Sequence, residues 1–586
     1  MSANIEPDTL LAIDVGSVHT RASLFDVVEG RYRLVASGRA LSTAGPPLFD
    51  VREGVRIALD QLQAVTGRKM IDDTETLIMP VTGGGMGVDI CVATGSAGPT
   101  LKAVLVGLMD DISLESGRRL AESTYLTLIE EIGLTDRRGE DEKLDSILRA
   151  KPDVLLVVGG TDGGAAASVL SMVDLVSLST GLMPDGNRPH VVFAGNRTLA
   201  AHVAERFTEA TPVALTANIR PDLEQEDLAP ARTRLAEVLS ESRASKVAGY
   251  DELVQWSGGH MMQTADAFGR VIRYLSQVYD PAKGVLGIDL GGSHTTLAAG
   301  FSGDLRLSVR SDMGLGESLP GLIQHTKLES ISRWLPEEIS DADILNYVHN
   351  KANYPATIPA EKDELYLEFA LAREIMRSSL KLARRGWPRK GKLRDSILLP
   401  PMEPILAAGG ILARAPHPGY AALAILDAFQ PVGITTLVLD PHGLTPALGV
   451  AAGPAPMVSV QVLNSGNYVS LGTVVSPVGG GKLGRPALRV RLDKESEGEG
   501  MEGEVRAGQL VILPLGLGET GRLTLRPEKG FDVGFGGPGK AGALRVSGGI
   551  LGLIIDARGR PLPLPLDPEA RRELASKWLW DIGVRE

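Results

Sequence analysis

Between positions 10 and 26 the chain reads LLAIDVGSVHTRASLFD: a short apolar run, a carboxylate, a glycine-bearing turn and a second apolar run. Apolar runs of four to eight residues bounded by Gly and Ser are strand material, so two strands joined by a turn over Gly16–His19 are expected. RYRLVASGRAL (31–41) alternates and adds a third strand, and FDVREGVRIALDQLQAVTG follows with helical spacing. The same order returns at 285–301 as VLGIDLGGSHTTLAAGF, with DLRLSVRSDMG behind it. Between the copies, DVLLVVGGTDGG (153–164) reads as a buried strand ending in glycines before a helix, and HVVFAGN and PVALTANIRP close further strands. Strand–helix alternation of this kind predicts α/β layers. Residues 107–150 and 320–395 carry helical periodicity with charged faces, as helical insertions would. From about 455 the pattern shifts to short strands, MVSVQVL, PALRVRL, GQLVILPL, GRLTLRP and GALRVSGGILGLII, closed by a helix in DPEARRELASKWLWDIG. That stretch is expected to form a β-rich C-terminal domain.

Composition narrows the classes. A chain of 586 residues exceeds one hydrophobic core. Its 43% hydrophobic and 23% charged residues describe an ordinary globular protein. A net charge of −12 argues against wholesale binding of nucleic acid. The single cysteine, Cys91, rules out an intramolecular disulfide and any all-cysteine metal site within one chain, and is expected in the core. The longest apolar stretch, VLLVVGGTDGGAAASVLSMVDLV, is broken by glycines and aspartates and fails as a membrane span. The opening MSANIEPDTL lacks the pattern of a secretory leader. A soluble cytoplasmic protein is expected.

The repeated turns carry the candidate chemistry. Glycine lets a tight turn expose backbone N–H groups, Ser and Thr add hydroxyls, and such a concave cluster holds phosphate oxygens. An aspartate at the strand end suits hydrated magnesium, which keeps most of its waters and takes one or two carboxylates. Two near-identical hairpins a domain apart would grip a polyphosphate from both sides. A third element, PILAAGGILARAPHPGYAALAIL (404–426), reads strand–Gly409–Gly410–helix and would pass beneath a nucleoside.

This order of elements resembles the actin, heat-shock chaperone and sugar kinase ATPase superfamily. The resemblance implies two ribonuclease-H-like lobes closing on ATP and Mg2+: residues 1–280 as the first lobe with insertions, 281–454 as the second with a helical insertion at about 320–395, and 455–586 as the β-rich domain. On that mapping Asp14, Gly16, Ser17, Thr20 and Arg21 form the first phosphate loop. Asp289, Gly291, Gly292, Ser293 and Thr295 form the second, and Gly409 and Gly410 the adenosine element. Asp14 and Asp289 take the catalytic and metal-holding roles, the metal held mostly through water. Gly159, Gly160, Thr161 and Asp162 form an additional candidate ligand turn.

A narrower resemblance rests on IDVGSVHTRASLFDV, TGSAGPTLKAVLVGL (94–108), LLVVGGTDGG, VVFAGN, NIRP and IDLGGSHTTL, which follow one another as in the MutL family, encoded beside glutamate mutase and related adenosylcobalamin-dependent mutases. It spans roughly residues 8–455. It implies a weak ATPase acting as a reactivating-type chaperone with a cobalamin-dependent mutase subunit as partner, no nucleic acid and no membrane, with homo-oligomerisation left open. The chain departs from the family pattern at Arg21, where Lys is usual, and in Thr295-Thr296-Leu297, where Thr-Thr-Asp is usual. The second departure keeps a non-hydrolysing nucleotide-binding scaffold in view, beside a small-molecule kinase of the same superfamily. His19 and His294 occupy matching turn positions and are read as hydrogen-bonding or water-facing rather than acid–base residues. The run RRGWPRKGKLR (384–394) is read as a solvated loop, with contact to an acidic partner as the sharper alternative. FGGPGKAG (535–542) precedes a strand, so it is not a dinucleotide fingerprint.

Overall fold

The computed structural model describes residues 7–388, 398–496 and 500–585. Two of its sheets follow one plan. In the first, Thr9–Val15, His19–Val28 and Arg31–Leu41 form an antiparallel meander, and Ile90–Gly95 and then Met261–Gln263 extend it in parallel beyond Thr9–Val15. In the second, Gly284–Leu290, Thr295–Phe301 and Asp304–Arg310 form the meander, extended in parallel by Met402–Ala408 and Gly433–Leu439. Each is the ribonuclease-H-like strand order, so the α/β class with two such lobes stands. The initiating strand of each sheet is apolar on both faces because helices cover both sides: Thr9–Val15 is buried throughout.

Local sequence explains the layer on the first lobe. The helix Val51–Thr66 starts where the Asp50 side chain accepts from Arg52 N and stops at Gly67 in the left-handed region. Its buried positions Val51, Val55, Leu59 and Leu62 recur at helical spacing and lie on the meander. The approach is close enough that a Cβ on Gly38 would fall 1.8 Å from the Ala58 carbonyl oxygen.

Between Gly95 and Tyr250 the chain leaves the first lobe and builds a sheet of its own. Its order is Leu126–Ile132, Leu101–Val106, Val154–Val157, His190–Phe193, Val213–Leu215, every pair parallel. In order of appearance that is 2-1-3-4-5, a doubly wound unit with separate apolar cores on its two faces. The helical reading of 107–150 is corrected here. Glu115–Glu122 and Glu140–Ala150 are helices, but LTLIEEI between them is an edge strand.

The lobes meet through two helices, Thr264–Val278 and Leu444–Ala451, each following its lobe's fifth strand. A Cβ on Gly449 would stand 1.9 Å from the Ala267 carbonyl oxygen, so the backbones touch at that crossing. Helices Leu319–His325, Leu328–Ser332, Asp341–Asn353 and Lys362–Ala383 lie in the described part of the span read as a helical insertion, whose last residues, 389–395, are outside the described residues.

The C-terminal region is β-rich but does not stand apart from the second lobe. Val469–Ser476, Leu553–Asp556 and Leu510–Leu513 continue that lobe's sheet beyond Gly433–Leu439, making eight strands. Met501–Arg506, Pro486–Lys494, Thr520–Pro527 and Gly542–Ser547 form an antiparallel sheet alongside. The first strand expected there, MVSVQVL, lies within the helix Pro456–Leu463. No helix among the described residues is long and apolar enough to cross a membrane.

Candidate functional site

The two hairpin turns are built alike. Gly16 N donates to His19 O and Gly291 N to His294 O, each at 3.0 Å. In both turns a Cβ on the glycine would crowd that same carbonyl oxygen, at 2.9 and 2.8 Å. The tips face one another across the lobes: a Cβ on Gly292 would lie 2.3 Å from Val18 Cγ2 and 3.3 Å from Ser17 Oγ. The amides of Ser17, Val18, Gly292 and Ser293 form no hydrogen bond with any described residue. Four unused donors on two apposed turns make an anion-receiving surface.

Asp14 and Asp289 stand behind these tips at matching strand ends. Thr94 Oγ1 and Thr264 Oγ1 donate to Asp14 Oδ1 at 2.8 and 3.2 Å, and Arg21 Nη1 lies 3.5 Å from Oδ2. Burial raises the Asp14 carboxyl above its usual range despite those partners. Asp289 is pushed up to about 6, first by burial and then by the negative charge of Asp14 and, more weakly, of Asp440. Carboxylates that repel one another across a cleft are suited to a cation between them. Among the described residues no three His, Cys, Asp or Glu side chains converge as a direct metal-ligand set. The arrangement therefore fits a magnesium ion held largely through its own waters by Asp14 and Asp289, and does not fit a dry metal cage.

Cross-strand pairing decides which neighbours share the cleft. Arg21 pairs with Asp14 and Thr296 with Asp289, so these four side chains lie on corresponding faces. Arg21 reaches the second lobe, its Nη1 2.6 Å from where a Gly443 Cβ would be. Thr20 and Thr295, expected to donate hydroxyls to phosphate, sit on the opposite face of their strands. Thr20 Oγ1 is buried beside Gly54 of the helix Val51–Thr66 without a hydrogen-bond partner, and Thr295 Oγ1 donates to Met313 O at 2.9 Å. Ser293 Oγ is engaged by Glu317 at 3.2 Å. Leu297 is fully buried in the second lobe's core and takes no place in the cleft.

The glycine pair adjoins the second hairpin. Gly409, at φ 104°, lies so close that a Cβ would fall 2.2 Å from Leu290 O, whereas a Cβ on Gly410 would meet nothing within 4 Å. Gly159, Gly160, Thr161 and Asp162 lie elsewhere, at the C-terminal edge of the inserted sheet. Asp162 accepts from Asn218 Nδ2 and Arg197 N, each at 2.9 Å, and Asn218 Nδ2 also donates to Gly160 O. Among the described residues no hydrogen bond or ion pair joins that turn to Asp14 or Asp289.

His19 Nε2 lies 2.6 Å from Arg39 Nη2, and burial with the nearby Arg21 and Arg414 charges lowers it to about 4. His294 packs edge-on against Tyr125, ring centroids 4.7 Å apart, and burial lowers it to about 3. Both imidazoles are neutral near pH 7, but only His19 has a side-chain partner; His294 Nε2 is buried without a hydrogen-bond partner, against the hydrogen-bonding or water-facing reading. Cys91 is buried in the first lobe's core.

Sequence reasoning missed Asp440, Tyr125 and Arg243. Asp440 accepts from Leu444 N, Thr445 N and Thr445 Oγ1 at 2.7–2.9 Å and so starts the helix at the lobe crossing. Its signal was legible: ITTLVLDPHG repeats the strand–Asp–turn–Gly grammar of the two hairpins. Tyr125 brings the inserted unit to the cleft, its hydroxyl accepting from Ala265 N at 2.9 Å. The buried Arg243 guanidinium lies 4.7 Å from the Tyr125 ring centroid, its Nε and Nη2 without hydrogen-bond partners.

Comparison with known proteins adds the following. The family model described as MutL protein matches residues 10–466. Protein MutL of Clostridium tetanomorphum is 21% identical over 491 residues, covering 78% of this chain and 98% of that protein. Among solved structures, nucleotide-free acetone carboxylase is 11% identical with a TM-score of 0.34, over 85% of this chain and 81% of its own. The nucleotide-free diol dehydratase-reactivating factor is 11% identical with a TM-score of 0.28, over 78% and 99%. Structural likenesses this loose bear on neither ligand nor activity.

Proposed function

We propose, from the premise that this chain belongs to the MutL protein family, that it binds ATP with Mg2+ between its two hairpins and serves an adenosylcobalamin-dependent mutase as a reactivating-type chaperone. The apposed tips carry this reading: four unengaged amides face one another in front of two carboxylates that repel each other. The tip amides receive phosphate oxygens, and Arg21 adds a charged donor from beside Asp14. The open space at Gly410 suits a nucleoside lying along the glycine pair. Magnesium, when bound, neutralises charge on the phosphates. Asp14 or Asp289 then orients a water toward the terminal phosphate, and the tip amides stabilise charge developing there. Both threonine hydroxyls are turned away, so phosphate contact on those strands falls to backbone and to Arg21.

A second reading keeps nucleotide binding without hydrolysis, because the side chain facing Asp289 across its strand pair is the neutral Thr296. Calorimetric titration with ATP–Mg separates the outcomes. Saturable binding that falls at least about tenfold in Asp14→Ala is expected, the scale of losing one charged partner. Equal affinity in that variant, or no binding by the native chain, rejects the reading. ADP formation in the presence of a cobalamin mutase separates hydrolysis from a scaffold role.

A further inference from the structure

A cavity of about 1240 Å³ opens in the second lobe at the end of its sheet away from the cleft. Lys283 and Gly284 line it at the start of the strand that ends in Asp289 and Leu290. A seven-residue strand separates the two places by roughly 20 Å. The cavity is therefore distinct from the nucleotide cleft.

Its floor is aromatic and its rim is cationic. Trp334, Trp387 and Phe429 line it, each more than nine-tenths buried. Arg333 and Arg377 lie over the Trp334 ring, 4.9 and 5.6 Å from its centroid. Lys327, Lys381, Arg384 and Arg385 extend the basic side of the lining, and Glu374 is the one carboxylate among its described residues. Glu374 is already committed, to Arg333 at 2.5 Å, Arg377 at 3.4 Å and the Trp334 indole N–H at 2.7 Å. Lys327 and Lys381 are exposed and have no ion-pair partner among the described residues. Burial lowers Arg377 and Arg384, and the Arg333 charge adds to the effect on Arg377. Arg333 and Arg377 share the single carboxylate of Glu374, so cations outnumber carboxylates among the described lining residues. The chain carries a net charge of −12, so concentrating cations here is a local feature rather than its general surface.

We propose that this cavity docks an acidic peptide segment of a partner protein, its carboxylates meeting Lys327, Lys381 and the arginines and an apolar side chain seated on Trp334 and Trp387. The volume exceeds the roughly 300–1,000 Å³ usual for small-molecule sites, which favours a length of chain. Opposite charge on rim and ligand supplies steering and register. The described part of the basic run, Arg384 to Pro388, forms one wall; residues 389–394 lie outside the described residues. This inference stands independently of nucleotide binding.

The test uses the full chain and a short fluorescein-labelled peptide of glutamate and aspartate interrupted by leucine and phenylalanine. Fluorescence anisotropy is expected to show saturable binding that weakens with salt. Lys327→Glu with Lys381→Glu, both exposed and unpaired and so without cost to the fold, is expected to weaken it at least about tenfold. Binding unchanged in that double variant, or no saturable binding, overturns the proposal. Displacement by inorganic tripolyphosphate as readily as by unlabelled peptide also overturns it, in favour of a small-polyanion site.

Discussion

Burial and the nearby Asp14 charge lift Asp289 to about 6 from an ordinary 3.8. A carboxyl raised on folding binds its proton more tightly in the native state, so its contribution to stability is full at low pH and is lost as pH rises through the folded value. Asp289→Asn, neutral at every pH, is expected to melt above the native chain beyond about pH 6, with the gap closing below about pH 4. Thermal melts across that range check it, and a gap independent of pH would mean that the carboxylate is not strained. If the cleft takes ATP–Mg, adding it should raise the melting point of the native chain more than that of the variant. Arg243 is the opposite case, a buried cation without a carboxylate. Arg243→Met is expected to stabilise the chain by about 1–2 kcal/mol in urea unfolding, because desolvation of an uncompensated charge is removed. A loss of stability would show that the guanidinium meets a group of its own.

At the level of elements, a buried ionic knot fastens the C-terminal strands to the second lobe. Arg558 donates to Asp556 at 2.9 Å and to Asp427 at 2.8 Å, Arg560 to Asp556 at 2.7 Å, and Arg373 to Asp427 at 2.8 Å. Asp556 is held well below the usual carboxylate range by the two arginines, against the pull of burial. Asp556→Ala leaves two buried guanidinium groups short of a partner and is expected to cost about 3–5 kcal/mol, measured by denaturant unfolding. Asp556, Arg558 and Arg560 are close neighbours in the chain, but Asp427 and Arg373, which complete the knot, are distant from them, so no local pattern announces it. Hairpins were legible for the converse reason. Their glycines, aspartates and flanking apolar runs are contiguous, and the second copy removed the ambiguity of the first. The helix Pro456–Leu463 was misread because a short run rich in valine suits either structure; proline in its first turn, with no N–H to give a ladder, favours the helix. Thr20 and Thr295 were read by type where strand alternation is decisive: each stands one residue from the cleft-facing position, and so on the other face.

Across the whole molecule, the crossing of the two inter-lobe helices is a tight contact between the lobes. At Gly449 and Ala267 the two inter-lobe helices touch through backbone, and no side chain fits between them. Gly449→Val is expected to wedge the lobes apart, enlarging the radius of gyration in solution scattering and weakening ATP–Mg binding at least about tenfold. An unchanged radius with native affinity would mean that this contact does not set the spacing of the lobes. The inserted unit also touches the second lobe, where Thr127 Oγ1 lies 2.9 Å from Ser311 Oγ and Tyr125 packs on His294.

The chain enters and leaves that inserted unit through a single narrow neck: a Cβ on Gly98 would rest 3.6 Å from Val247 Cγ2. Ala248 N, just past the neck, donates to Phe49 O and anchors the return on the first lobe. A cassette with adjoining ends can be cut out and the gap bridged by a few flexible residues, and the same geometry lets such a cassette be gained, lost or exchanged without redrawing the clamp around it.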